Sequence, residues 1–484
     1  MKPRALALSV LMVMSVLAVG VSFGPGVAAA ANSPADLTAN DLPGSGTSED
    51  PYQISNASEL QAIEDDLGAH YKLVSDVDAS GTSEWNGGKG FDPIGPSGTP
   101  FTGAFDGNGY TISNLTINRS SDGEVGLFGY VESSGAITQT GLEDANVTGD
   151  DYVGGLVGLN YGAVNGSYAT GNVSANNSVG GLVGGSGGTI LESNATANVS
   201  GKVEVGGLVG VQASGSIRAS NASGSAIGSE SVGGLVGKNV GEGTIEHSTA
   251  SGTVILNWKT YSHDYLGGLV GKNDQGIITN SNATGDVQAG NVTSVGGLVG
   301  YTSGADAVIN VSYATGNVTG NDDVGGFVGT TIDSTVNQTY ATGTVDGASN
   351  VGGLIGNATG SNTEVANSYA AGTVSPTGTT VGGLVGVNDG GTVIDAYWDT
   401  ETTGQSSSAD GTGLTTSQLK ANTSLAGFDF TNTWAVKTGG EVSYPYLSTN
   451  TQSPAPGLAT VDVSPTVSSI ETRDAGDAAG TVLG

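Results

Sequence analysis

Gly155-Leu156-Val157-Gly158, Gly181-Leu182-Val183-Gly184 and Gly207-Leu208-Val209-Gly210 belong to one series of ten near-identical apolar strings. The series opens with Gly126-Leu127-Phe128-Gly129, and its later members end at Gly237, Gly271, Gly300, Gly329, Gly356 and Gly386. Successive copies lie 26 to 34 residues apart. A period of that size means one supersecondary unit stacked on copies of itself, because a single unit cannot bury its own apolar face. Helices are a poor fit, since each unit is rich in Gly, Val, Thr, Ser and Asn, residues that weaken helix interiors. A unit of 26 residues is also too short for a four-stranded propeller blade. About three short strands joined by Gly and Asn turns fit the length. The spacing therefore predicts an all-β chain, a right-handed parallel β-helix (β-solenoid) of about ten coils. At ~4.8 Å per rung it would be a rod roughly 50 Å long.

A second ladder says which side chains face inward. Roughly 12 residues after each string comes Ser-x-Ala-x-Gly-x-Val, as in Ser167-Tyr168-Ala169-Thr170-Gly171-Asn172-Val173 and Ser312-Tyr313-Ala314-Thr315-Gly316-Asn317-Val318. With a strand period of two, Ser, Ala, Gly and Val share the interior. The stack reads Ala169, Ala195, Ala222, Ala250, Ala283, Ala314, Ala341, Ala370 and then Trp398, whose indole would close the end of the core. The opposite face carries sequons at Asn172, Asn194, Asn198, Asn221, Asn282 and Asn317, candidates for N-glycosylation that need an outward position. The same slot holds Tyr313, Tyr340, Tyr369 and Tyr397 in the late coils. That column is read either as a self-supporting ladder or as an open contact strip.

Composition bounds the partners. There are 45 Asp+Glu against 13 Lys+Arg, a net charge of −32, which should repel nucleic acid and anionic membranes. Scarce Lys beside abundant carboxylate resembles haloarchaeal surface chemistry, and the acidic surface is expected to hold monovalent and divalent cations weakly. Residues 1–31 read as a signal peptide: Lys2 and Arg4, an apolar run from Ala5 to Val21, then Ala28 to Ala31. The mature protein is expected to be exported, with no membrane span after signal removal. Residues 32–118 read as an N-terminal cap with first strands and a short helix, in which Ser58-Glu59-Leu60-Gln61 looks like a capping box ahead of Leu60, Ile63 and Leu67. Residues 119–404 are the solenoid, 405–450 a C-terminal cap, and 451–484 a linker or tail.

These repeats resemble the GLUG motif of secreted and cell-surface proteins, some of them adhesin-like. The flanks look similar too: Gly44 to Ile54 and Pro100 to Ile112 upstream, Tyr397 to Gly404 and Tyr444 to Leu447 downstream. The resemblance implies a β-helical extracellular domain and carries over no catalytic residue. Some relatives join zinc peptidases, but His-Glu-x-x-His does not occur here.

Chemistry is thinly signed. The chain has no Cys and three His, His70, His247 and His263, in unrelated contexts, so they are read as incidental. No cofactor, metal site or catalytic residue is expected. Asp150-Asp151 and Asp322-Asp323 occupy equivalent corners and are read as solvated. The interval between Gly237 and Gly271 is the longest, and its additional residues include Trp258, Tyr261, His263 and Tyr265. Rings beside hydrogen-bonding groups on a loop are what a sugar site needs; the alternative is a loop that buries its own rings. The functional expectation is a secreted or cell-surface, adhesin-like structural solenoid whose partners are envelope polysaccharide or surface proteins. The alternatives are a polysaccharide lyase or hydrolase on the same fold, and a stalk for a missing C-terminal domain.

Overall fold

The computed structural model describes residues 37–257, 264–290, 293–438, 441–453 and 455–457. Its strands are almost all parallel and fall into three long ladders of 32, 10 and 9 strands, with one small antiparallel pair near the C-terminus. One coil shows the plan: Asp151–Gly154 lies in the 9-stranded sheet, Val157–Asn160 in the 10-stranded sheet, and Ala163–Asn165 and Tyr168–Ser174 in the 32-stranded one. Each strand pairs with its equivalent in the next coil. Val157 stands on Val183, Val183 on Val209 and Val209 on Val236, and the ladder ends at Ile355 on Val385. The β-solenoid thus keeps its register along this ladder, with a shift elsewhere, between Ala169 and Gly171.

The Gly-Leu-Val-Gly string is a corner between two sheets, with Leu156 wholly buried beneath it. Its glycines are there for space. None of Gly154, Gly155 and Gly158 has a positive φ. A Cβ on Gly154 would lie 2.2 Å from the Val157 carbonyl oxygen, and one on Gly158 would lie 2.4 Å from the Glu124 backbone. Any side chain there would prise adjacent coils apart.

The interior set is the expected one: the alanine column is at most 1% exposed from Ala169 to Ala370. Its serines have a further task. The residue before each is left-handed, with φ near 50° at Glu192, Ala219 and His247, and the chain bends there. The Ser193 N–H then donates to Ser220 Oγ (3.2 Å) and the Ser220 N–H to Ser248 Oγ (3.3 Å), while each hydroxyl donates to the carbonyl two residues back. The hydroxyls satisfy buried backbone donors that would otherwise cost about 1–3 kcal/mol each.

The ends differ from the expectation. The parallel ladder is not confined to 119–404, because Tyr52 pairs with Tyr71, Tyr71 with Phe105 and Phe105 with Ile137. These first coils lack the glycine string and are filled by larger side chains, with Phe101 and Phe105 packed on Phe128 at 4.9 and 5.3 Å. The short helix, Ala57–Gln61, is capped by Asn56, whose side chain accepts from the N–H groups of Ser58 and Glu59. Ser58 is therefore inside the helix, and Gln61 instead makes a reciprocal pair with the backbone of Asp92. At the other end Trp398 does stand on Ala370, but a further strand, Thr412–Leu414, pairs beyond it. The indole N–H donates to the Gln405 carbonyl at 2.9 Å.

Candidate functional site

The tyrosine column is where parity places it, and it is closed. Tyr313, Tyr340, Tyr369 and Tyr397 stand rung on rung. The first three rings are stacked at 5.0 and 5.2 Å, within 8° of parallel. Yet Tyr340 and Tyr369 are fully buried, and Tyr313 and Tyr397 nearly so. The cover comes from described residues 416–438 and 441–453, which pack against the side of the rod through Leu419, Leu425, Phe428, Trp434, Tyr444 and Leu447. Trp434 lies 6.1 and 6.0 Å from Tyr340 and Tyr369 and 4.6 Å from Phe428, while Tyr444 packs on Tyr369 at 6.0 Å. The phenols are tied down as well: Tyr369 Oη donates to the Pro445 carbonyl (2.6 Å) and Tyr340 Oη to Gln452 Oε1 (3.3 Å). Burial raises the pKa of Tyr313 to about 12 and lifts those of Tyr340 and Tyr369 well above 10. The open contact strip is therefore corrected to the hydrophobic seat of a C-terminal segment. Alternation distinguishes inward from outward, and outward is not the same as exposed.

The sequons divide likewise. Asn172, Asn194, Asn198, Asn221 and Asn317 are exposed. Asn282 is not: its Nδ2 donates to Asn450 Oδ1 at 3.0 Å, and the covering segment leaves it 8% exposed. A glycan there would have to displace that segment, so Asn282 is withdrawn as a candidate.

Of the long-loop residues, Trp258, Tyr261 and His263 lie outside the described residues. Tyr265 is described, half-buried, with its ring 4.7 Å from Tyr301. Lys272 Nζ sits 5.9 and 5.7 Å from these two rings and 3.5 Å from Asp274.

The paired carboxylates are satisfied by neighbours: Asp323 accepts from Thr330, Asn350 and Asn357, and Asp150 from Asn176. Among the described residues Glu64, although open to solvent on one side, is pushed up to about 7, by partial loss of hydration first and by Asp92 second, in a 330 Å³ hollow beside Arg119. Arg119 is held by Asp92 at 2.8 Å and Asp122 at 3.5 Å. Among the described residues no group of three or more His, Asp or Glu is arranged to hold a metal ion.

One aromatic group went unread in the sequence. Tyr130, Tyr152 and Tyr161 come from three different slots, and only the stacking of coils brings them together on the outer face.

With this geometry in view, similarity to known proteins bears on the repeats. The model of the GLUG motif matches residues 228–255 and 262–288. The chain carries GLUG repeats. Halomucin of Haloquadratum walsbyi is 37% identical over 435 residues, 87% of this GLUG-repeat chain but 4% of Halomucin. A protein of Evansella cellulosilytica named "Putative Gly-rich membrane protein" is 36% identical over 127 residues, 25% of this chain and 15% of that one. The chain thus spans a small fraction of these relatives. Among solved structures, a "putative immunoglobulin A1 protease" of Bacteroides ovatus aligns loosely, over 84% of this chain and 94% of that one, at 17% identity and a TM-score of 0.36. No helix among the described residues is long and apolar enough to cross a membrane.

Proposed function

We propose that this GLUG-repeat chain is a secreted or cell-surface structural protein, adhesin-like and working in strong salt, which acts by presenting its outer faces and not by catalysis. The observation that carries the reading is the division of labour within each coil. Inward positions repeat almost without change, while the outward slot runs Tyr168, Asn194, Asn221, Thr249, Asn282 and then Tyr313. A scaffold held constant beneath a varied skin builds surface, whereas a hydrolase or lyase concentrates its acid, base and cation in one groove. The names of the relatives, a mucin-like one from a halophile and a membrane-associated one, agree with a place at the cell surface. So does the charge of −32, which keeps a protein hydrated and dispersed when salt screens it.

On this reading the partners are envelope polysaccharide or surface proteins. The exposed sequons carry glycans, the acidic skin holds cations loosely, and the Tyr265 to Tyr301 cluster at the foot of the long loop is one contact point. The test is fractionation of the native cells in molar salt, followed by detection of the chain in envelope, medium and cytoplasm. Recovery from envelope or medium supports the proposal. Recovery in the cytoplasm alone overturns it.

A further inference from the structure

The outer face of the first repeat coils carries a group of rings that the rod's architecture does not need. Tyr161 is 44% exposed, the largest exposure of any aromatic among the described residues, and its ring centroid lies 5.7 Å from that of Tyr130. Tyr130 stands beside Leu159, and Leu159 beside Gly185, on one ladder. Tyr152 leans over Gly185, where a Cβ would meet its Cδ1 at 2.7 Å, and Tyr161 lies over Gly187, where a Cβ would meet its Cε1 at 2.8 Å. Two glycines thus make a floor on which the rings lie low.

Tyr152 also sits at a φ of 51°, in a slot that other coils fill with Glu124, Ser178, Glu204, Ser231, Ser294, Asp323 and Asn350 in the same left-handed conformation, and with Tyr265 outside it. The left-handed conformation suits short polar residues, and a bulky ring there is kept at a cost. The ring lies outside the core, half-buried on the outer face of the sheet.

The charges around the platform select what can lie on it. Glu124 and Glu132 act on the Tyr130 phenol, and Asp151 and Glu204 on that of Tyr152; both phenols are shifted upward, by burial first. The nearby cation, Lys238, is held by Glu204 at 3.0 Å. An anionic chain would be repelled, while hydroxyl groups find carboxylate acceptors at the rim of an aromatic floor. We propose that Tyr130, Tyr152 and Tyr161 form a binding platform for an uncharged polysaccharide, whose pyranose rings stack on the tyrosines and whose hydroxyls donate to the surrounding carboxylates. The proposal rests on the surface-presenting function above and places one of its binding sites.

The experiment is affinity electrophoresis in molar salt of the full chain against laminarin, mannan and soluble starch, with alginate and polygalacturonate as acidic probes, for the native protein and for Tyr161→Ala and Tyr130→Ala. Both changes leave the core untouched, and an unaltered strand circular dichroism spectrum confirms it. Retardation by a neutral probe that each variant weakens about tenfold supports the platform. Binding of acidic probes alone, or neutral binding that neither variant changes, overturns it while leaving a surface function standing. Binding of no probe, with self-association that Tyr161→Ala abolishes, overturns it in favour of contact between two copies. These results are independent of where the chain is found in the cell, so failure here and failure of the fractionation test are told apart.

Discussion

Asn194 and Asn221 in the early coils and Tyr340 and Tyr369 in the late coils occupy one outward slot on one ladder, and they meet opposite fates. The asparagines are open to solvent, with Asn221 Nδ2 donating to Asn194 Oδ1 at 2.9 Å. The tyrosines are buried to their hydroxyls beneath Trp434, Phe428 and Tyr444. Beneath both lies the same alanine column. The difference teaches that in this solenoid the backbone does not decide what is surface; a few outward side chains do, by recruiting or not recruiting chain from beyond the repeats.

The sharpest way to break that comparison is to empty the cover. Trp434→Ala deletes a fully buried indole and should cost about 3–5 kcal/mol of the stability of the late coils. Urea unfolding followed with hydrogen exchange should show protection lost from residues 415–453 and the strands of Tyr340 and Tyr369, and kept between Tyr52 and Ala250. Equal loss in both halves would mean that the rod behaves as one unit and the two regions are not distinct.

Alkali probes the same boundary more gently. Burial holds Tyr340 and Tyr369 well above the ordinary pKa of 10. An unfolded tyrosine gives up its proton near pH 10 while these two keep theirs, so above that pH the unfolded state binds fewer protons and stability falls. It is fully present below pH 10 and drains away as pH rises toward the folded values. Aromatic circular dichroism of the stack should therefore vanish at lower pH than the strand signal. Simultaneous loss would count against a separable cover.

The smallest effect comes from grafting the late residues onto the early coils. The double substitution Asn194→Tyr/Asn221→Tyr places two rings in neighbouring rungs with nothing above them, and should stabilise by only about 0.2–1 kcal/mol in thermal melts. A gain of several kcal/mol would show that stacked tyrosines support themselves and owe little to the segment that covers them.

How much of this was legible follows from what repeats. Ser-x-Ala-x-Gly-x-Val recurs with period two inside and a coil's length outside, so strand parity, the alanine column and the number of coils can be read directly. Phe428, Trp434 and Tyr444 lie where the period has stopped, and an apolar residue without a period has no address; end and flank of the rod were equally open to it. The first coils hide for the same reason, since Phe105 stands in a column that later coils fill with Ile137, Val164 and Ile190, and Phe101 in one that continues through Val131 to Asn160 and Ser186. The helix cap falls earlier than the expected Ser58, because Asn56 accepts from the N–H groups of Ser58 and Glu59 instead. The platform of Tyr130, Tyr152 and Tyr161 combines three slots that no single alignment of the repeats puts side by side.

The coil of 34 residues shows what the serine ladder permits. Its additional length falls in the sequence between the strands Val254–Leu256 and Leu266–Gly267, while Ser220, Ser248 and Ser281 pass their hydrogen bonds upward without interruption and Val236 still meets Val270. Because each rung asks of its neighbour only a hydroxyl, a methyl and room for two glycines, copying a unit costs no redesign of the interior. The number of coils is then a free parameter: duplication lengthens the molecule in steps of one rung, and every corner is a port through which new sequence can be tried without disturbing the thread beneath.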